Sequence, residues 1–170
     1  SDIPNIGPAY ADAAGFRQFA GRILGISEDN TIFIRDAAQA DMIATFGSES
    51  DHRGRLFDIV KPGKSKVFIY YSGHGAPGDK GKRYLVPVDA RGSRIRLNGY
   101  GLKTFYRNLS KLPALEVTVV LEACFSGISP GGKVVPSASG IYLTSKENIV
   151  PTSITVIAAG ASDQIASWEK

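Results

Sequence analysis

Strand-like and helix-like apolar patterns alternate along the chain. Apolar residues at helical spacing predict a helix over 9–24, ended by Gly25, and a further helical face over 102–112. Continuous apolar runs bounded by turn residues predict strands buried within a parallel sheet. These runs cover residues 66–71 (KVFIYY), 117–121 and 153–158. Because strands alternate with helices, we expect an α/β fold with a mostly parallel sheet.

Shorter segments fill the intervals between these elements. Residues 31–34 are β-branched and aromatic and predict a short strand. Asp36 and Gln39 have capping-box spacing and predict a helix that runs to about Phe46. A further helix and a further strand are predicted at about 54–60 and at 84–88. The segment 128–152, rich in Gly, Pro and Ser, exceeds the usual loop length and is expected to be functional, mobile or a small hairpin.

Composition narrows the classes of protein. The chain has 170 residues, 43% of them hydrophobic and 21% charged, which is typical of one globular domain and not of a disordered chain. No apolar run approaches the ~20 residues that span a bilayer. Cys124 is the single cysteine, which excludes an internal disulfide framework and a cysteine-based zinc site.

The net charge of +4 is mild and does not indicate a nucleic-acid partner. Lys80, Lys82 and Arg83 cluster on a Gly-rich segment, which we interpret as a solvated loop. Residues 76–83 resemble a phosphate-binding P-loop in their Gly-Lys pair. That segment has Ala at the first motif position and Arg at the last, so a phosphate-binding module is not favoured.

Two predicted strands lead directly into polar segments, SGHG at 72–75 and EACFSG at 122–127. A lone cysteine is more often a small buried apolar residue than a nucleophile, and a lone histidine in a turn is usually only exposed. Functional sites in open α/β sheets form at the carboxyl ends of strands. His74 and Cys124 are therefore expected to act together at one end of the sheet.

These segments resemble the two signature segments of the caspase-like cysteine proteases, in particular those of metacaspases and prokaryotic caspase-like enzymes. The resemblance rests on residues 70–75 (YYSGHG), 122–127 and 84–89 (YLVPVD), and it extends over about 9–167. The histidine precedes the cysteine by about 50 residues, as in caspases. The resemblance implies a caspase-like three-layer sandwich, in which helices flank a mostly parallel central sheet.

The resemblance also implies a thiol protease. Cys124 would attack the peptide carbonyl, and His74 would transfer protons. The family's oxyanion hole corresponds to the backbone N–H groups of Gly75 and Cys124. No cofactor is implied. Many metacaspases use calcium, but a supporting acidic cluster is not clear in this sequence, so neither calcium dependence nor a metal site is predicted.

Acidic residues predict cleavage after Lys or Arg. In the family, the residue two before the cysteine lines the pocket for the residue that precedes the cut. It is Gln in animal caspases, which cut after Asp, and Asp in metacaspases and paracaspases, which cut after Arg or Lys. Glu122 occupies that position here, and Asp12 matches a second acidic pocket residue. Asp163 is a further candidate for the pocket or for a calcium site.

Alternatives stay open for these acids. Asp12 would equally suit the first turn of a helix, where a carboxylate interacts with the helix dipole. Glu122 would be an exposed carboxylate at a strand end. The additional methylene of Glu, relative to the family's Asp, shortens the pocket and leaves the preference between Arg and Lys open.

The resemblance further predicts how the chain is organised. Residues 1–170 correspond to a single catalytic domain, the large subunit, without the family's first strand and without its small subunit. We expect a protein or peptide substrate and an associated small subunit from the same precursor. A chain that ends on Lys170 also fits self-processing by a pocket for basic residues. The alternative is a non-catalytic, caspase-derived interaction domain, although such domains usually lose the Cys or the His.

Overall fold

Helices and strands alternate in the computed structural model, which describes residues 2–125, 128–129, 132–134 and 150–158. The helices are α1 (Gly7–Arg22), α2 (Gln39–Phe46), α3 (Arg55–Ile59), α4 (Ile95–Asn98) and α5 (Leu102–Leu109). The strands are β1 (Lys66–Ser72), β2 (Gly75–Pro77), β3 (Arg83–Leu85), β4 (Tyr100–Gly101), β5 (Glu116–Glu122), β6 (Ile128–Ser129), β7 (Gly132–Lys133) and β8 (Thr155–Ala158).

A parallel three-stranded sheet lies at the centre of the described residues. Its order is β1-β5-β8, with both pairs parallel. The small strands β2, β3 and β4 form a separate antiparallel sheet, and β6 pairs with β7 in a hairpin. All three predicted strands are therefore present, but the third is not buried as predicted. β8 lies at the edge of the described sheet, and Ile157 is 56% exposed. The 128–152 segment begins with one of its expected forms, a small hairpin.

Helices cover both faces of the central sheet, which confirms the predicted α/β architecture. On one face, alternate side chains of β1 and β5 are buried against α2 and α5 in the main hydrophobic core. Examples are Ile69, Val119 and Leu121 from the sheet and Phe105 from α5. On the opposite face, α1 packs against β1 through Phe16, which stacks on Tyr70. This arrangement places Tyr70 and Ser72, which is two positions farther along the strand, on the face towards α1.

Aromatic packing and one buried amide join α2 to α5. The ring of Phe105 meets the ring of Phe46 edge-on at 5.1 Å. The Asn108 side chain is buried and donates hydrogen bonds to the carbonyl oxygens of Phe46 at 3.0 Å and Ser48 at 2.9 Å. These bonds satisfy carbonyl groups that the end of α2 leaves without helical partners.

The prediction of a strand at 31–34 is wrong. This segment is extended, but it pairs with no other strand in the described part of the chain. Residues 31–37 and 66–74 both contribute to the lining of a cavity of about 640 Å³. Strands must lie about 4.8 Å apart to form a ladder, and within the described residues this segment forms no ladder with β1.

The predicted cap at Asp36 is also wrong. Asp36 has a positive φ of 52° and accepts a hydrogen bond from the Tyr10 hydroxyl at 2.5 Å. The helix begins at Gln39, and the Asp41 carboxylate accepts the Ala38 backbone N–H at 2.9 Å. The reciprocal half of a capping box is therefore present, but it lies farther along the chain.

Burial of β1 on both faces is only partly observed. Its side chains alternate between exposed and buried at the start of the strand, and Phe68 is 37% exposed. Full burial would require a helix over the whole outer face. Within the described residues, Phe16 of α1 stacks over Tyr70 near the carboxyl end of the strand.

Among the described residues, no helix combines the length and the apolar character that a membrane span requires.

Truncation of the central aromatic residue tests the core. Phe105 is 1% exposed and contacts aromatic rings of α2 and β4. Phe105→Ala should lower the free energy of unfolding by about 3–5 kcal/mol, because it leaves a cavity in a packed core. Chemical denaturation measures this loss. Leu97→Ala is the control, since Leu97 is 75% exposed and should change stability by no more than about 0.5 kcal/mol. Equal losses in the two variants would contradict this core.

Candidate active site

The two signature segments leave the sheet at the same end. Parallel pairing places Ser72 opposite Glu122 at the carboxyl ends of β1 and β5. The Gly73 backbone N–H donates to the Glu122 carbonyl at 3.2 Å and extends this pairing beyond the ladder. His74 and Cys124 each lie two residues past the paired positions, so adjacent parallel strands deliver both to one edge of the sheet.

Gly75 lies directly against the cysteine segment. It is buried at the start of β2. A Cβ atom at this position would lie 2.7 Å from the Cys124 carbonyl oxygen and 2.6 Å from the Phe125 ring. Real Cβ atoms do not approach other atoms this closely, so only glycine permits the contact. The structure therefore brings the histidine segment and the cysteine segment together.

The imidazole of His74 is held through its Nε2 atom, which lies 2.5 Å from the Pro4 carbonyl oxygen. A carbonyl can only accept, so Nε2 carries the hydrogen and Nδ1 is the nitrogen that can accept a proton. Burial lowers the pKa of His74 below its ordinary value, and the bond to Pro4 opposes this shift. The neutral imidazole, which is the form that a general base requires, is thereby favoured.

The backbone of His74 is fixed by two donors. Its carbonyl oxygen accepts a hydrogen bond from the Tyr71 hydroxyl at 2.8 Å and another from the Val86 N–H at 3.0 Å. Tyr71 lies on the core face of β1, so the position of His74 is tied directly to the hydrophobic core.

The segment before α1 packs over the small antiparallel sheet. Ile3 is buried in a second apolar cluster that includes Ala76 and Tyr84. The Asp2 carboxylate accepts the Gly92 N–H at 3.0 Å. These contacts at Asp2 and Ile3 hold the neighbouring Pro4 carbonyl beside His74. No sequence signal indicates this contact, because residues 2–6 have no periodic pattern.

Cys124 lies two residues after the end of β5 and is half-buried. The neighbouring Phe125 packs against the main core, and the Arg83 guanidinium lies 5.9 Å from the centre of its ring. The core thus holds the residue after the cysteine, which limits the movement of the thiol relative to the sheet.

Two acidic residues, Glu122 and Asp12, lie near the Tyr70 side chain at the carboxyl end of β1. The Tyr70 hydroxyl donates a hydrogen bond to Oε2 of Glu122. Burial is the main cause that raises the pKa of Tyr70, and Glu122 and Asp12 raise it further. The nearby Ser72 hydroxyl, which lies outside hydrogen-bond geometry, lowers it. Glu122 bonds the Tyr70 hydroxyl, and Ser72 lies two residues farther along the same face of β1. Asp12 lies on α1 four residues before Phe16, whose ring stacks on Tyr70. We name this group of Asp12, Tyr70, Ser72 and Glu122 the acidic pocket.

Two polar atoms of the acidic pocket have no partner among the described residues. They are Oδ2 of Asp12 and Oγ of Ser72, and both are buried. Buried polar atoms usually have a hydrogen-bond partner, and leaving one unpaired costs about 1–3 kcal/mol. The pocket therefore offers acceptors to a ligand that carries hydrogen-bond donors.

The simpler alternatives for the two acids are contradicted. α1 begins at Gly7 and has no acidic residue in its first turn, so Asp12 does not serve the helix dipole as a first-turn charge. Glu122 is half-buried and bonded to Tyr70, so it is not a freely exposed carboxylate. Asp163, the third pocket candidate, lies outside the described residues.

Tyr70 was also not among the predicted site residues, because it counts as one more apolar residue in the strand pattern. The available signal was its hydroxyl, because a buried tyrosine usually bonds its O–H to a specific partner.

No group of three or more His, Cys, Asp or Glu side chains in the described part of the chain could hold a metal ion.

Comparison with known proteins gives one family. The sequence model of the caspase domain matches residues 33–170. The match covers the segments of His74 and Cys124 and begins after Asp12. A search of curated proteins found no match.

The protonation of His74 should be visible in the pH dependence of stability. Because the pKa of His74 is lowered in the folded state, the unfolded state binds its proton at higher pH. The resulting stability is fully present above the ordinary pKa of 6.5 and is lost as pH falls through the lowered folded value. The stability of wild type relative to His74→Gln should therefore decrease from pH 8 to pH 5.

Denaturant unfolding at several pH values measures this difference. His52→Gln, which removes the other histidine of the chain, controls for the loss of an imidazole elsewhere. A difference that stays constant with pH, or grows in acid, would show that the His74 pKa is not lowered.

Proposed function

Because the chain belongs to the caspase family, a family of cysteine peptidases, we propose that it is an endopeptidase that cuts after Lys or Arg through a Cys124–His74 dyad. The contact of Gly75 with the Cys124 carbonyl is the observation that carries the proposal. This contact joins the carboxyl ends of β1 and β5, which are separated along the chain by all the elements from β2 to α5. Catalytic groups on separate strands act together only when such a junction exists.

The first step forms an acyl-enzyme. His74 accepts the thiol proton of Cys124, and the sulfur forms a bond to the carbonyl carbon of the substrate. The backbone N–H groups of Gly75 and Cys124 donate to the resulting oxyanion. Each donor of this type contributes about 10²–10³ in kcat. The C–N bond then breaks as His74 returns its proton to the leaving amine.

The second step uses water. His74 accepts a proton from the water molecule as the oxygen attacks the thioester carbonyl carbon. The C–S bond then breaks, and the proton returns to the Cys124 sulfur. The product leaves as a carboxylic acid that releases the second water proton to solvent, so thiol and imidazole return to their starting forms. The lowered pKa of His74 favours this cycle, because a neutral imidazole is available as the base.

Charge supports the preference for a basic residue before the cut. Glu122 is two residues before Cys124. The charges of both Glu122 and Asp12 act on the Tyr70 hydroxyl and raise its pKa. Two carboxylates in a partly desolvated pocket attract an ammonium or a guanidinium group and repel a substrate carboxylate. Acids at these positions favour the metacaspase-like members of the family over the Asp-cutting caspases.

Peptide hydrolysis tests both the dyad and the pocket. Fluorogenic peptides that differ only in the residue before the cut (Arg, Lys, Asp or Leu) are assayed with and without calcium. Wild type should cleave after Lys or Arg, and Cys124→Ala should lose at least about a thousandfold in kcat/KM. Glu122→Gln keeps the size of the side chain but removes its charge, so KM for basic peptides should rise about tenfold or more.

Glu116→Gln is the matched control, because Glu116 lies at the other end of β5 and pairs with Lys66 at 3.1 Å. It should leave KM unchanged. Cleavage after Asp would retain the dyad and overturn the role of Glu122. No cleavage under any condition would favour the non-catalytic interaction domain.

Self-processing and an associated small subunit stay predictions from the resemblance. If the enzyme processes its own precursor, intact-mass analysis should find a cut after a basic residue in the full-length protein and none in its Cys124→Ala variant. The same cut in the inactive variant would assign processing to another protease.

A further inference from the structure

We propose that Tyr70 is a specificity-determining residue that makes the acidic pocket select a lysine side chain over an arginine side chain. The inference rests on the proposed function of this pocket and names which of the two basic residues precedes the cut. It follows from how the Tyr70 hydroxyl uses one carboxylate oxygen of Glu122.

The Tyr70 hydroxyl reaches Glu122 diagonally across two paired strands. The register places Ser72 opposite Glu122 and Tyr70 opposite Val120, so Tyr70, Ser72 and Glu122 lie on the same face of the sheet. The hydroxyl donates to Oε2 of Glu122. Because the β1–β5 ladder fixes both backbones, this bond sets the direction in which the carboxylate points.

α1 holds the Tyr70 ring in place. The ring of Phe16 stacks on it with centroids 4.4 Å apart and planes within 9°. Phe16 and Asp12 are four residues apart on α1, so Asp12 lies on the same helix face, towards the sheet. Burial and the bond to Glu122 keep the pKa of Tyr70 well above neutral pH, so the phenol remains a donor.

Three separate acceptors then remain for a substrate. Oδ2 of Asp12 and Oγ of Ser72 are buried without a partner among the described residues. Oε1 of Glu122 is the third acceptor, since Tyr70 bonds the other oxygen. An ammonium group carries three donors on one nitrogen, so it suits three single acceptors on different side chains.

A guanidinium group suits this arrangement less well. Its strongest contact with a carboxylate uses two parallel hydrogen bonds, one to each oxygen. The Tyr70 hydroxyl competes for one of the two oxygens of Glu122 and disfavours that geometry. Arginine is also longer than lysine, whereas Glu122 extends one methylene farther than an aspartate would and leaves less depth.

Tyr70→Phe isolates the hydroxyl, because the ring that stacks on Phe16 is retained. Wild type should prefer Lys peptides over matched Arg peptides. In Tyr70→Phe the ratio of kcat/KM for Arg to that for Lys should rise about tenfold, the usual scale of one hydrogen bond to a charged group. The change should appear in KM and leave kcat nearly constant, because Tyr70 does not touch the reacting atoms. Tyr10→Phe is the matched control, since it removes a phenol–carboxylate bond to Asp36 and should leave the ratio unchanged.

A binding measurement separates this inference from the proposed catalysis. The inactive Cys124→Ala variant is titrated by NMR, with and without Tyr70→Phe. The probes are n-butylamine, which reproduces the lysine side chain, and n-propylguanidine, which reproduces the arginine side chain. Stronger binding of the amine, reversed or equalised by Tyr70→Phe, supports the inference even if no peptide is cleaved. Cleavage of basic peptides with an Arg-to-Lys ratio that Tyr70→Phe leaves unchanged would overturn the inference and leave the proposed function standing. If neither probe binds and no basic peptide is cleaved, both are wrong.

Discussion

The parallel pairing of β1 with β5 is the constraint on which the candidate site depends. The ladder aligns Ser72 with Glu122, so the chain leaves both strands at one level and in one direction. A register shift of one residue would exchange the two faces of a strand. It would move Tyr70 towards the core and Tyr71 towards α1, and would remove the hydroxyl contacts of both. The same ladder therefore positions His74, through Tyr71, and Glu122, through Tyr70.

Much of the fold was predictable because its central strands bury apolar side chains. The runs that became β1, β5 and β8 have a strong local signal, and the alternation of strands with helices indicates that they pair in parallel. The segment 31–34 has the same local signal, but a strand exists only where a partner lies at ladder distance. No local pattern contains that information, and here the segment and β1 both line a cavity and do not pair. The cap at Asp36 failed for a related reason, since a bond to the distant Tyr10 competes with the local bond.

The residues of the candidate site also divide into those that the sequence predicts and those that it does not. His74, Gly75, Cys124 and Glu122 were predictable, because they lie in short segments whose chemistry depends on local sequence. Their partners were not. In the sequence, Tyr70 is one more aromatic residue in an apolar strand pattern. Its bond to Glu122 depends on the pairing of β1 with β5, which the local sequence does not specify. Pro4 contributes a backbone carbonyl, which every residue possesses, so nothing in its identity indicates that it bonds to His74.

The acidic pocket also follows from the division of the sheet into two faces. On the core face, side chains from β1 and β5 are sealed by α2 and α5, and this apolar burial supplies the stability of the sheet. On the α1 face, Asp12 and Ser72 keep buried oxygens without partners, each at a cost of about 1–3 kcal/mol. A bound cation would donate hydrogen bonds to these oxygens. The free energy that their burial without partners costs during folding would then contribute to the affinity for a basic side chain. A substrate carboxylate would instead add a third negative charge to the same space, so the proposed preference for a basic residue and the exclusion of an acidic one have the same electrostatic origin.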